Sequence, residues 1–259
     1  MRILVTFAVE AEFAPWLALR KFQERALVPD HWSGGLKVYE AECGRNTLWV
    51  LLTGIGAGVR KGLFPIGICA RQAGVDVLIS SGLAGSLKKE LGVGEVIVPR
   101  RVGTLRDAAG LEAHAGLMQI AAFTGSKLVD VLLTADHIVE TSEEKNRLAF
   151  WGDAVDMESQ AIMSEFLGEG IPSLTIRAIS DANDEDLPLD FNACLTTEGK
   201  VKPVPLLKRL LSRPAKTMDV IRFGVRSKRA ARNLARFLDS YVLALTPEAI
   251  KNDIGVAAE

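Results

Sequence analysis

The chain has 259 residues, 48% of them hydrophobic and 24% charged, with a formal net charge of −1. That is an ordinary globular composition, long enough for one large α/β domain or two small ones, and its near-neutral charge gives no reason to expect a nucleic acid partner. Cys43, Cys69 and Cys194 are odd in number and widely spaced, with no Cys-x-x-Cys, which argues against a disulfide framework or a zinc site and fits a reducing, cytoplasmic compartment.

The opening "MRILVTFAVEAEF" has one basic residue followed by acids, and reads as a first strand over 3–9 rather than a signal peptide. A helical pattern follows over 10–21. "WSGGLKVYEAECG" (32–44) alternates polar and apolar residues, as an antiparallel hairpin arm does, and leads into an apolar strand over 48–54. Further apolar runs at 75–82, 94–99, 127–134 and 173–180 lack alternation, so both faces read as buried, as in a mainly parallel sheet covered by helices. Helical patterns at 57–72, 141–150 and 157–168 lie between them, and "RDAAGLE" (106–112) reads as a turn. Strand–helix alternation over this length predicts one α/β sandwich. No apolar run reaches membrane-spanning length.

Beyond residue 190 the texture changes. "VKPVPLLKRLLSRPAKT" (201–217) is broken into short helices by three prolines. From Lys200 to Arg236 there are twelve Lys or Arg against one acid, Asp219. A helix is expected over 215–244, with Gly224 as the place for a break, and the last dozen residues as a frayed end. The chain therefore divides into a core, 1–190, and a basic helical extension, 191–259, packed on or beside it.

Several motifs fail on inspection. "TGIGAGVRKG" (53–62) follows a strand, but both registers of Gly-x-Gly-x-x-Gly miss, at Val59 and at Lys61. It is either a tight strand-to-helix turn or an anion-binding loop at a helix N-terminus. "DANDEDLPLD" (181–190) has Asp186 where a calcium loop needs Gly and Asn192 where it needs Glu. "SLKK" lacks the Lys-Thr-Gly of a penicillin-binding serine. His31, His114 and His137 show no ligand spacing, so neither a metal nor another cofactor is expected.

Three carboxylates remain. Glu12 lies just past the first strand, Glu158 follows "AVDM", and Asp181 ends "TIRAISD". In an open parallel sheet the residues beyond the strand C-termini line the ligand crevice. Each acid also has a plainer reading. Glu12 and Glu158 suit the first turn of a helix, where the macrodipole favours them, and Asp181 suits an Asx turn.

Taken together, "AVEAEF", "SSGLAGSLKKELGVGEVIVP", "VDMES" and "IRAISDAND" resemble, in order and spacing, the purine nucleoside phosphorylase and nucleosidase superfamily, and within it the methylthioadenosine/S-adenosylhomocysteine nucleosidases. The resemblance covers roughly residues 1 to 182. It implies a three-layer α/β/α sandwich around a mixed, mainly parallel sheet, and cleavage of the N-glycosidic bond of an adenosine-type nucleoside. By that resemblance Glu158 accepts from the ribose 2′ and 3′ hydroxyls while Met157 packs on the sugar. Asp181 protonates purine N7, a role that the neighbouring acids Asp184 and Glu185 favour by discouraging its ionisation. Its second oxygen accepts from a 6-amino group, and Ser180 supports it. Ala84, Gly85, Ile138 and Val139 line the substrate site.

Two nucleophiles stay open. One is water, oriented or deprotonated by Glu12. The other is phosphate, for which Arg60, Arg101 and Arg177 are the candidate anion-binding residues. Glu12 tilts the balance to water. A third reading, a nucleoside-binding protein without turnover, also stays open. The sequence departs from the nucleosidase branch at Leu83, where a serine is common, at Ile138, where an aromatic stacks on the base, and in the short segment between Pro99 and Lys127. The tail is similar to that of a hopanoid-associated phosphorylase branch, which implies an adenosyl group carried on a lipid. Apolar residues interleaved with Arg222, Arg226 and Arg229 suit contact with the anionic inner face of a membrane. The resemblance also implies a homo-oligomer.

Overall fold

The computed structural model describes residues 1–25, 38–56, 66–194 and 217–251. Ten strands form one mixed sheet. They are β1 (Arg2–Phe7), β2 (Gln23–Arg25), β3 (Val38–Cys43), β4 (Asn46–Leu52), β5 (Val77–Ser86), β6 (Val96–Thr104), β7 (Asp107–Glu112), β8 (Lys127–Thr134), β9 (Ala154–Asp156) and β10 (Ser173–Asp181). β1 pairs in parallel with β4 and β5, and β5 with β10. β2, β3 and β7 add antiparallel pairings. β5, β10, β6, β8 and β9 are each paired to the next, and β9 returns to β5, so half of the sheet closes on itself. Ala84, Ile97, Val102, Leu132, Ala154 and Ile179 of these strands belong to one buried apolar cluster.

Side-chain alternation shows why the sheet is covered twice. Ile3, Val5, Phe7, Val77 and Ile79 point to one face and join α1 (Glu10–Leu19), α3 (Ala115–Thr124) and α6 (Thr217–Ala244) in the largest core cluster. Leu4 and Leu78, the residues between, point to the other face. There they meet α2 (Ile66–Gln72) and α5 (Ser159–Gly168) through Ala70, Ile162 and Phe166. Two apolar faces on one run of residues explain the missing alternation in the sequence. Two short helices, α4 (Ser142–Leu148) and α7 (Pro247–Lys251), are also present among the described residues.

Several expectations need correction. Residues 107–112 are strand β7, not a turn: they pair antiparallel with β6 from Arg101↔Glu112 to Thr104↔Asp107, and the reversal falls at 105–106. Helix α3 was not expected, because "AGLMQIAAFT" is apolar nearly all round and shows no 3.6-residue stripe. Its punctuation was present in the sequence. His114 Nδ1 accepts from Leu117 N, and Gly125 closes the helix at φ 106°. α6 runs unbroken through Gly224 for 28 residues. The expected helix over 57–72 is described only from Ile66, and the hairpin arm over 32–44 only from Val38; the rest of each, with the Pro-containing 201–216, lies outside the described residues.

Candidate active site

A cavity of about 950 Å³ opens at the C-terminal ends of β1, β5, β9 and β10, the place where open α/β sheets bind ligands. Glu12, Ala84, Gly85, Ile138, Val139, Met157, Glu158, Ser180 and Asp181 all line it. Nine residues from five separate stretches of sequence thus share one space.

Glu158 occupies the N-cap position of α5 but makes no capping bond. That task falls to Asp156, whose carboxylate accepts from Ser159 N and Ser159 Oγ. Glu158 thus stands at the helix start, as its plain reading has it, without capping the helix. Its Oε1 instead accepts from Gly56 N at 2.9 Å. Gly56 has φ 48°, and a Cβ there would lie 2.8 Å from Met157 Cε, so glycine lets Met157 lie along the cavity wall. Glu12 accepts from Leu83 N at 3.0 Å and from Ala8 N at 3.2 Å, which ties the start of α1 to β5. A Cβ on Gly82 would sit 3.3 Å from both Glu12 oxygens.

Both carboxyls resist ionisation. Burial pushes Glu12 up from its ordinary 4.5. Burial, then Asp156 and Glu12, push Glu158 up to about 8. The compensating cation is Arg177, almost fully buried. Its Nε donates to Asp156 Oδ2 at 3.0 Å, Nη1 to Ile176 O at 3.1 Å, and Nη2 to Ser80 Oγ at 3.1 Å and Ser159 Oγ at 2.8 Å. Arg177 therefore pairs with an acid of the site; four of its five N–H groups are engaged there, and it does not line the cavity. Arg101 does not line the cavity. Arg60 lies outside the described residues.

The raised Glu158 has a consequence for stability. Unfolded, it releases its proton near 4.5; folded, near 8. Between those values the folded chain holds the extra proton, so stability is fully present below pH 4.5 and is lost as pH rises towards 8. Glu158→Gln, which keeps an oxygen for Gly56 N, is expected to flatten the fall of Tm between pH 5 and 8, leaving the part due to Glu12. Calorimetric melting of both proteins across that range checks it; equal slopes would refute the assignment.

A register shift positions Asp181. On β10, Ile179 faces Ala84 of β5, but Asp181 faces Gly85, so Ser180 is the extra residue of a bulge. Successive residues of a regular strand point to opposite faces. Here Ser180 and Asp181 both reach the cavity. Ser180 Oγ donates to Asp181 Oδ1 at 2.5 Å. The other oxygen, Oδ2, meets Lys145 Nζ at 2.6 Å. The expected acidic surrounding is thus corrected: a cation, not Asp184 or Glu185, touches Asp181, and the Glu185 carboxylate is taken up by Arg226. Lys145 was missed in the sequence. The signal was its place three residues before Leu148 on the buried side of α4, in an otherwise charged helix.

Asn192 was missed in its actual role as well. Its side chain accepts from Ile138 N and donates to Ile138 O, both at 2.8 Å, and so fixes the loop that carries Ile138 and Val139. The rest of the cavity lining is largely apolar. α1 brings Ala11, Ala14, Pro15, Ala18 and Leu19; α6 brings Phe223, Gly224, Ser227, Ala231 and Ala235. The cations of the lining, Lys228, Arg232 and Arg236, also come from α6. Among the described residues no group of His, Cys, Asp or Glu suits a metal ion.

The architecture is that of an α/β sandwich with a ligand crevice lined by carboxylates from strand ends. Residues 2–203 match the model of the Phosphorylase superfamily, and the chain belongs to that family. A 5'-methylthioadenosine/S-adenosylhomocysteine nucleosidase of Buchnera aphidicola is 26% identical over 204 residues, 70% of this chain and 85% of its own. A nucleosidase of the same description from Exiguobacterium is 28% identical over 185 residues, 61% of this chain and 78% of its own. Among solved structures, a futalosine hydrolase mutant of Helicobacter pylori superimposes with a TM-score of 0.69 at 21% identity, over 95% of this chain and 100% of that one. That likeness establishes the fold.

Proposed function

We propose that this protein is a hydrolytic nucleosidase that cleaves the N-glycosidic bond of an adenosine-type compound and releases adenine. One observation carries the reading. Two buried carboxyls that resist ionisation, Glu12 and Glu158, line the same cavity as Asp181 with a lysine behind it. Breaking a ribose–purine bond gives an oxocarbenium-like sugar. Carboxylates that repel each other both attract that cation, so their ionisation is favoured where charge develops. Glu158 then holds the ribose hydroxyls, Glu12 takes a proton from water, and Asp181 delivers one to N7. The curated relatives, both named for nucleosidase activity, support this reaction. Water is favoured over phosphate because Glu12 offers it a base, and of the candidate anion-binding residues neither Arg177 nor Arg101 lines the cavity.

The substrate's 5′ substituent is apolar and bulky in this reading. The cavity is at the upper end of the size range for drug-sized ligands; its α1 wall is apolar, and α6 adds Phe223, Ala231 and Ala235 beside its cations. Chemistry then resides in residues 1–190, and within the extension Phe191 and α6 shape the substrate end. Exposed Met218, Ile221 and Val225 share α6 with exposed Arg222, Lys228, Arg229 and Arg232. A basic and apolar surface of that kind fits an anionic bilayer, at roughly 1 kcal/mol per basic residue near it. Among the described residues no helix is long and apolar enough to cross a membrane.

One assay tests these points together. Adenine release is measured from adenosine, from a 5′-methylthio nucleoside and from a 5′-long-alkyl nucleoside, with and without phosphate and with and without anionic vesicles. The expected result is phosphate-independent release, fastest with the long apolar group and increased by vesicles at low salt. Release that requires phosphate and yields ribose 1-phosphate overturns hydrolysis. Binding of adenosine compounds without release overturns catalysis. Equal rates on all three nucleosides overturn the apolar substituent, and no co-sedimentation with vesicles overturns the membrane contact.

A further inference from the structure

A fully buried lysine is uncommon, because a desolvated ammonium is costly unless it is paired. Lys145 is fully buried. Its three donors are all engaged: Nζ donates to Ala182 O at 2.8 Å and Glu185 O at 2.9 Å, and meets Asp181 Oδ2 at 2.6 Å. Two carbonyls of one loop therefore aim the third N–H at Asp181. Stability alone does not call for a lysine here, since a buried ion pair is replaced by apolar residues at little cost or with a gain.

We propose that Lys145 supplies, through Asp181, the proton that the departing base takes up at N7, an inference that rests on the nucleosidase reading. Nζ passes a proton to Oδ2. As the C1′–N9 bond breaks, its electron pair stays with the base and N7 takes that proton. Water forms the new C1′–O bond and gives a proton to Glu12. Lys145 ends one proton short and Glu12 one proton richer, and exchange with solvent restores both. An ammonium can give up a proton, which a guanidinium does not.

The competing account is that Lys145 only ties α4 to the 182–185 loop. Leaving-group dependence separates the two. Lys145→Met and Lys145→Arg are compared with the unaltered protein on an adenosine-type substrate and on 4-nitrophenyl riboside, whose phenolate departs without a proton. Folding is followed by circular dichroism and melting, with Lys145→Gln standing in if Met does not fold. Both variants are expected to lose about a hundredfold or more on the adenosine compound and to change little on the nitrophenyl riboside. Equal losses on both substrates, or full activity of Lys145→Arg on the adenosine compound, would overturn the proposal. If the unaltered protein releases no adenine, the nucleosidase reading fails instead, so the two failures are distinct.

Discussion

Asp181→Asn lowers adenine release by more than about a hundredfold, the span of general acid catalysis, while the fold persists. The amide oxygen still accepts from Lys145 Nζ, so the buried ammonium keeps a partner. The amide NH2 then points to where Ser180 Oγ or the base lies, and it offers N7 a hydrogen bond without a proton. Binding of the base is therefore retained and the chemical step is lost: kcat falls and KM changes little. Single-turnover rates with an adenosine-type substrate measure it. Turnover of the variant near that of the unaltered protein would remove Asp181 from the role. Cleavage of 4-nitrophenyl riboside is expected to survive in this variant, as in those of Lys145, because both act on the same proton.

How much of this was legible in the sequence follows from which interactions are local. The strands at 3–9, 75–82 and 173–180 showed themselves because a strand buried on both faces is largely apolar and lacks alternation. Residues 107–112 did not, because their strand exists only through its partner: Asp107–Glu112 holds no apolar run and pairs with β6 across a two-residue reversal. The three acids were legible as strand-end residues, and their shared cavity was an inference from topology together with the family resemblance. What the sequence could not carry was the division of labour between Asp156 and Glu158, two residues apart, where one caps α5 and pairs with Arg177 and the other turns to Gly56. Nor could it show the bulge that brings Ser180 and Asp181 to the same side. The basic tail was read from its charge, but α6 carries two faces. Ala230, Leu234, Leu238 and Tyr241 belong to the main core, and the charge sits on the side left over.

Glu12→Gln is the other change with a large expected effect. The amide is the same shape, and its oxygen can still accept from Leu83 N or Ala8 N, so α1 stays tied to β5. What is lost is a base. Burial holds the Glu12 carboxyl above its ordinary 4.5, which makes the ionised form a stronger acceptor of a proton from water than an exposed glutamate. Hydrolysis is expected to fall by about two to four orders of magnitude. The acid side of the pH–rate profile is expected to change with it. In the unaltered protein the rate drops as pH falls through the Glu12 value, because the protonated carboxyl takes up no proton. In Glu12→Gln that part of the limb is absent, and the small residual rate depends on the remaining carboxyls alone. Phosphate supplies the control. It arrives already anionic and needs no base, so if phosphate were the natural nucleophile the variant would keep its phosphate-dependent rate and lose little. A loss that phosphate does not restore, measured as adenine released with and without added phosphate, places the base requirement on water. A variant as active as the unaltered protein would leave Glu12 as no more than the acceptor that joins α1 to β5.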